Sequence, residues 1–248
     1  MKRVLFLLSL VLLFITSSVK AQEIKQEKKV ITTAGEATVW VNPDRARIFL
    51  GIETLQETID DAHKENAEKM RKVVAALKAL KIKGMLIKAP SYNVSLVKEP
   101  TYEATKAGRL PKIIGYKVTQ SFTVLLKNKN PLILSKNASY VVDAALKNGV
   151  NIIEKVAFFK EDDSQERRKA LKLAVKDAIS NAKAIAEAAG VSIKSYTLIN
   201  SSTYYWQSPQ IVQMTQAFTP RETDRAITTL IAGKIPIFCK VQLHCIVK

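Results

Sequence analysis

The stretch "TVWVNPDRARIFLGIE", residues 38–53, places three charged side chains within four positions, between two runs that alternate apolar and polar residues. Alternation with a period of two marks half-buried strands. Between the runs, Pro43 presets the φ that the second position of a tight turn needs, and Asn42 and Asp44 favour turns by bonding to nearby backbone. The reading is a hairpin corner. Val39 and Val41 then point with Ala46, Ile48, Leu50 and Ile52 toward the core, and Arg45, Arg47 and Phe49 lie on the opposite face. Asp44 and its arginines belong to a turn on this reading, not to an acid–base site.

Working outward, alternation predicts strands over 30–41, 45–53, 86–98, 112–127, 150–160, 192–203 and 234–247. Three helices fit between them. The first, 59–83, repeats Met70, Val73, Val74, Leu77 and Leu80 along one stripe and stops at Gly84. The second, 131–148, enters through Pro131 and ends at Gly149. The third, 164–189, stacks Ala170, Ala174, Ala178, Ala182, Ala186 and Ala189 on one side, where small side chains let a helix approach a sheet closely. Its other side carries Arg167, Arg168, Lys169, Lys172, Lys176 and Lys183. Residues 45–127 and 150–247 both read strand, helix, strand, loop, strand, and "KGMLIKAPSY" and "AGVSIKSYTL" fall at matching points. The fold class is α+β, an antiparallel sheet with about three helices packed on it, with a pseudo-duplicated strand–helix–strand–strand unit.

The chain opens "MKRVLFLLSLVLLFITSSVKAQE", a basic tip, a short apolar run and small residues, the layout of a secretory signal peptide. Residues 1–21 are read as that peptide with cleavage near Ala21, 22–29 as a charged leader, and 30–248 as one domain. Cleavage removes Lys2, Arg3 and Lys20 and lowers the formal charge from +17 to +14. No later run is long enough for a transmembrane helix, which needs about 20 apolar residues. A periplasmic or otherwise exported, soluble or peripheral product is expected.

Motifs for chemistry are sparse. Cys239 and Cys245, six residues apart on a strand, sit on one face with Val241 and Leu243 and lie roughly 20 Å apart, beyond disulfide reach. They read as buried small hydrophobes. His63 falls in a helix, and His244 points away from its neighbour Cys245, so neither joins a metal-ligand cluster. Asp60 and Asp61, and Glu161 to Ser164, precede helices and read as caps. No phosphate loop or nucleophile elbow occurs, so no catalytic, cofactor-binding or metal-ligating residue is assigned. The Asn93, Asn137 and Asn200 glycosylation matches are too short to weigh. The loop 204–225 is either a contact surface or a variable connection. The basic balance suits anionic lipid or polysaccharide surfaces better than nucleic acid, because the cations are spread along the chain without stacking aromatics.

Taken in order, "VITTAGEATVWVNPDRARIFLGIET", "IIGYKVTQSFTVLLKN", "RRKALKLAVKDAISNAKAIAEAAGVSI" and "GKIPIFCKVQLHCIV" resemble the SIMPL-domain family over residues 30–248. The two Cys and His244 depart from its usual closing strand. The resemblance implies an exported bacterial envelope protein, of a kind linked to oxidative-stress defence or known as a surface immunogen, with ring-forming homo-oligomers among its members. It brings no established catalytic residues. The expected function is therefore non-catalytic, through protein contacts and self-assembly. A thiol-dependent peroxide scavenger using Cys239 or Cys245 and a basic module for anionic surfaces are the alternatives.

Overall fold

The computed structural model describes residues 29–200, 206–207, 210–213 and 228–248. The expected signal peptide, nearly all of the leader and most of the 204–225 loop lie outside them. Nine strands and four helices run in the order β1 (Val30–Val41), β2 (Arg45–Gln56), α1 (Ile59–Ala79), β3 (Leu86–Lys98), α2 (Thr101–Lys106), β4 (Ile113–Lys127), α3 (Pro131–Lys147), β5 (Ile152–Phe159), α4 (Ser164–Ala188), β6 (Ile193–Asn200), β7 (Trp206–Gln207), β8 (Gln210–Gln213) and β9 (Ile235–Val247). The class is α+β with antiparallel sheets.

Two sheets form, where alternation alone suggests one. The first has the order β1-β9-β6, with β7 also on β9; the second has the order β3-β4-β2-β5-β8. The corner at 42–44 is therefore not a hairpin: among the described residues β1 pairs only with β9, while β2 pairs with β4 and β5. Alternation reports which face of a strand is buried and says nothing about its neighbour. Ala46, Ile48, Leu50 and Ile52 are fully buried as expected, in a cluster with Phe122, Val124, Phe158, Val73 and Leu134. Val39 and Val41 belong to a second cluster, with Ile237, Cys239, Val241 and the α4 alanines.

Local signals account for the helix ends. The Thr58 hydroxyl accepts the Asp61 N–H at the start of α1, and Asp60 and Asp61 occupy its first turn, where the helix dipole favours acids. That helix stops at Leu80, earlier than Gly84, because Lys81 takes a left-handed φ of 51°. Asn130 caps α3 by accepting the Leu132 and Ile133 N–H groups, with Pro131 just inside. The six-residue α2 and the two short strands β7 and β8 lie in segments read as loops, being too short to show a period.

The pseudo-duplication survives as packing. Helix α1 lies on β2 and β4 of the order β3-β4-β2, and α4 lies on β1 and β9 of the order β6-β9-β1. The halves interlock because β5, the strand preceding α4, pairs with β2 in the other sheet, and β1 takes its place. Close approach defines the α4 layer. Ala170, Ala174, Ala178 and Ala182 have no exposed surface. A Cβ on Gly35 would fall 2.2 Å from the Ala174 carbonyl oxygen and 2.2 Å from the Ala178 nitrogen.

Candidate functional site

At the crossing between the sheets, the end of β1, residues 42–44, Lys129, Lys160 and the first turns of α4 surround an open cleft of about 640 Å³. Asp44 is its hub. The Asp44 N–H donates to the Phe159 carbonyl at 3.1 Å, and its own carbonyl accepts the Asn128 N–H at 3.0 Å. Oδ1 accepts the Glu161 N–H at 2.9 Å, and Lys160 Nζ stands 3.6 Å from Oδ2. One residue thus ties the β1–β2 corner to the links that follow β4 and β5.

Arg45 corrects the expectation that places it on the face away from the core, because it is only 5% exposed. Its Nη1 donates to the Asp44 carbonyl at 2.9 Å, and its Nη2 pairs with Glu161 Oε2. A buried guanidinium needs such partners to offset its desolvation. Arg47 stays on the exposed side, over the Phe159 ring at 5.3 Å. Both Asp44 oxygens are engaged by cations or an N–H, so the group that looked reactive in sequence acts as a clasp. Nearby Asp163 accepts from Arg167 Nε at 2.6 Å, and its Oδ2 has no hydrogen-bond partner among the described residues.

Lys129, Glu166 and Lys169 line the same cleft and make no hydrogen bond or ion pair among the described residues. The cleft can therefore hold a polar, charged group. Its described lining holds no Ser, Thr, Cys or His.

The cysteines lie on one buried face of β9, both fully inaccessible and unpaired with each other. Burial pushes both thiols up from their usual range, away from the thiolate that peroxide chemistry requires. His244 lies on the other face of the strand, apart from Cys245. Among the described residues no group of three or more His, Cys, Asp or Glu could hold a metal. His63, at the start of α1, meets Tyr92 of β3 instead: Nδ1 shares a hydrogen bond with the Tyr92 hydroxyl, and the rings lie edge-on, 5.8 Å apart.

The family described as "SIMPL: Protein of unknown function (DUF541)" matches residues 31–243. The chain belongs to the SIMPL family. Its relatives include the 26 kDa periplasmic immunogenic protein of Brucella melitensis biotype 1, 29% identical over 166 residues, 66% of this chain and 62% of that one. The protein of the same name from Brucella abortus strain S19 is 28% identical with the same coverage. The "Uncharacterized protein YggE" of Edwardsiella ictaluri is 27% identical over 177 residues, 71% of this chain and 69% of that one. The aligned stretch spans 62% of the length of the two Brucella relatives. None of the three names denotes an enzyme.

Two features of this SIMPL chain escape sequence reasoning. Asn66, fully buried on α1, donates through Nδ2 to the Ile52 carbonyl at 3.0 Å and the Val118 carbonyl at 3.3 Å, pinning the helix to β2 and β4. Its only sequence signal is a polar residue one turn before Met70 and Val73 on the core stripe. The second is the excursion between β3 and β4. There Glu99 grips Arg109 through both carboxylate oxygens and accepts the Lys112 N–H at 2.7 Å. The Arg109 hydrogen bonds, with the Lys112 N–H second, lower the Glu99 pKa to about 2.

Proposed function

We propose that this SIMPL protein is exported to the bacterial periplasm, loses its signal peptide near Ala21, and works without catalysis through protein contacts and self-assembly. Protection against oxidative stress follows, on this reading, from those contacts and not from a thiol. The names of the Brucella relatives support the location, and no helix among the described residues is long and apolar enough to cross a membrane.

One observation carries the contact reading. Strand β3 is 13 residues long and forms an edge of its sheet among the described residues, so within them one side of its backbone has no strand beside it. Exposed apolar residues occur on β3 and on the connection and strand that follow it: Leu96 is 54% exposed, Tyr102 77%, Leu110 86% and Ile114 56%. Apolar surface gathered around an open strand edge is the physical form of an association site. Light scattering of the purified chain should give a mass several times that of one copy. Replacing Tyr102 and Leu110 by Asp should lower that mass while leaving the circular dichroism spectrum unchanged. A monomeric wild type would end the self-assembly reading.

The exposed outer face of α4, with Arg168, Lys169, Lys172, Lys176 and Lys183, favours a second reading, a basic module for anionic lipid or polysaccharide. Binding to anionic vesicles would then weaken steeply with added salt. The peroxide-scavenging alternative would return only if hydroperoxide turnover were measured and lost in Cys245→Ser.

A further inference from the structure

A second cavity, away from the Asp44 cleft, lies where α1 leaves its sheet uncovered. Helix α1 rests mainly on β2 and β4 and meets β3 through His63 and Tyr92. Tyr92 and Val94 of β3 pair with Gln120 and Val118 of β4, and cross-strand partners share a face, so they project on the helix side of the sheet. Both remain exposed, at 47% and 39%. The result is a trough of about 600 Å³ between the helix and the strand.

Its helix wall is mostly apolar, with one cation midway along it and a second at its far end. Ala67, Met70, Val74 and Ala75 form the helix wall, and Tyr92 forms the opposite wall with its hydroxyl anchored on His63. The stripe from His63 to Lys78 is roughly 22 Å long at the helical rise. Arg71 and Lys78, two turns apart on the same face, line the trough, and neither makes a hydrogen bond or ion pair among the described residues. Of the other cations on α1, Lys69 is held by Glu65 at 2.7 Å, and Lys64 and Lys72 do not line the trough. The acids in the same helix, Asp60, Asp61, Glu65 and Glu68, do not line the trough.

We propose that this trough binds a single-chain amphiphile with a carboxylate head, the acyl chain lying between Tyr92 and the Ala67–Val74 wall and the head meeting Arg71 and Lys78. Charge complementarity selects the anion. The long apolar floor selects an alkyl chain over a compact ion, and Met70, with its adaptable thioether, suits a flexible chain better than a rigid ring.

Calorimetric titration of the full chain with octanoate, laurate and dodecanol, all below their micelle thresholds, tests this. Laurate should bind more tightly than octanoate, by roughly two- to fourfold for each methylene taken from water. Laurate should also exceed dodecanol at low salt, and the gap should shrink with added salt as exposed charges are screened. Changing both Arg71 and Lys78 to Gln should remove the gap and leave dodecanol binding in place. Ala75→Trp, at an exposed helix position on the trough wall, should abolish binding of both ligands without shifting the thermal midpoint.

Equal affinity for octanoate and laurate would overturn the proposal, as would laurate binding that survives Ala75→Trp. Light scattering in the same buffer separates this site from self-assembly. If the chain bound no laurate while associated, and bound it no better after Tyr102 and Leu110 were changed to Asp, the trough would not be a ligand site. If binding appeared only in that monomerised variant, the trough would be covered by a second copy and the amphiphile reading would fall.

Discussion

The two layers of this SIMPL protein solve the same packing problem with opposite side chains. On the five-stranded sheet, α1 and α3 are held off by Phe122, Leu50, Leu77, Leu126 and Leu134, large residues that fill the gap between helix and strand. On the other sheet, α4 offers a run of alanines and β1 answers with Gly35, so helix and strand backbones nearly touch. The first layer gains stability from the apolar area of big side chains, the second from close contact of backbones and methyls. Truncation should injure the one and enlargement the other.

The largest effect is expected from emptying the thick layer. Phe122→Ala leaves a cavity beneath Ile48 and Leu50 and should cost about 4 kcal/mol, read from denaturant unfolding. Next, Gly35→Ala drives a methyl into the α4 backbone and should cost about 3 kcal/mol. The same Gly-to-Ala change at Gly190, where nothing lies within 4 Å of an added Cβ, meets no clash and is opposed only by its φ of 65°, so it should cost about 1 kcal/mol. If Gly35→Ala were as mild as Gly190→Ala, the close-approach account of this layer would fail.

Between the layers stands the Asp44–Arg45 clasp. Arg45→Ala strips Glu161 and the Asp44 carbonyl of their buried donor and should cost about 2 kcal/mol, less than a fully buried pair because Glu161 is more than half exposed. That loss should be roughly additive with Phe122→Ala only if the corner and the thick core are independent, which a double-mutant cycle measures.

The smallest effect concerns the excursion beside β3. Because Glu99 has its pKa lowered to about 2, its contribution is fully present above the ordinary carboxylate range and is lost as pH falls from about 4.5 toward 2. Relative to the intrinsic rate at each pH, hydrogen exchange at the Lys112 amide, held by the Glu99 carboxylate, should quicken in that window and stay slow at neutral pH. An equal quickening of the Ala178 amide, inside α4, would mean global loosening instead.

Much of this was legible in the chain. Most strand and helix positions followed from period, and Pro131 and Gly149 marked the ends of a helix with residues whose chemistry starts or stops one. The alanine run of α4 announced a close approach, and the placement of Cys239 and Cys245 on the inner face of β9 followed from even spacing alone. The candidate site was less legible. Arg45 reads as an outward residue by parity, and only its partner Glu161, 116 positions away, shows why it is buried. Asn66 reads as a surface interruption in an amphipathic helix until the Ile52 and Val118 carbonyls appear opposite it. The trough beside Tyr92 has no sequence signal, since it exists because α1 rests mainly on two strands of its sheet.

Most elements, the buried face of most strands and the family were written in the chain, because these depend on interactions within a few residues or on motif order; α2, β7, β8 and the Thr58 and Asn130 caps were not. Only the tertiary structure decided that β1 and β2 part into different sheets, that β5 crosses to the opposite half, and that the Asn42–Arg45 corner clasps three segments. Strand partnership is set by contacts distant in sequence, as far as Val30 with Ile246, and alternation carries the same message whichever neighbour a strand finds.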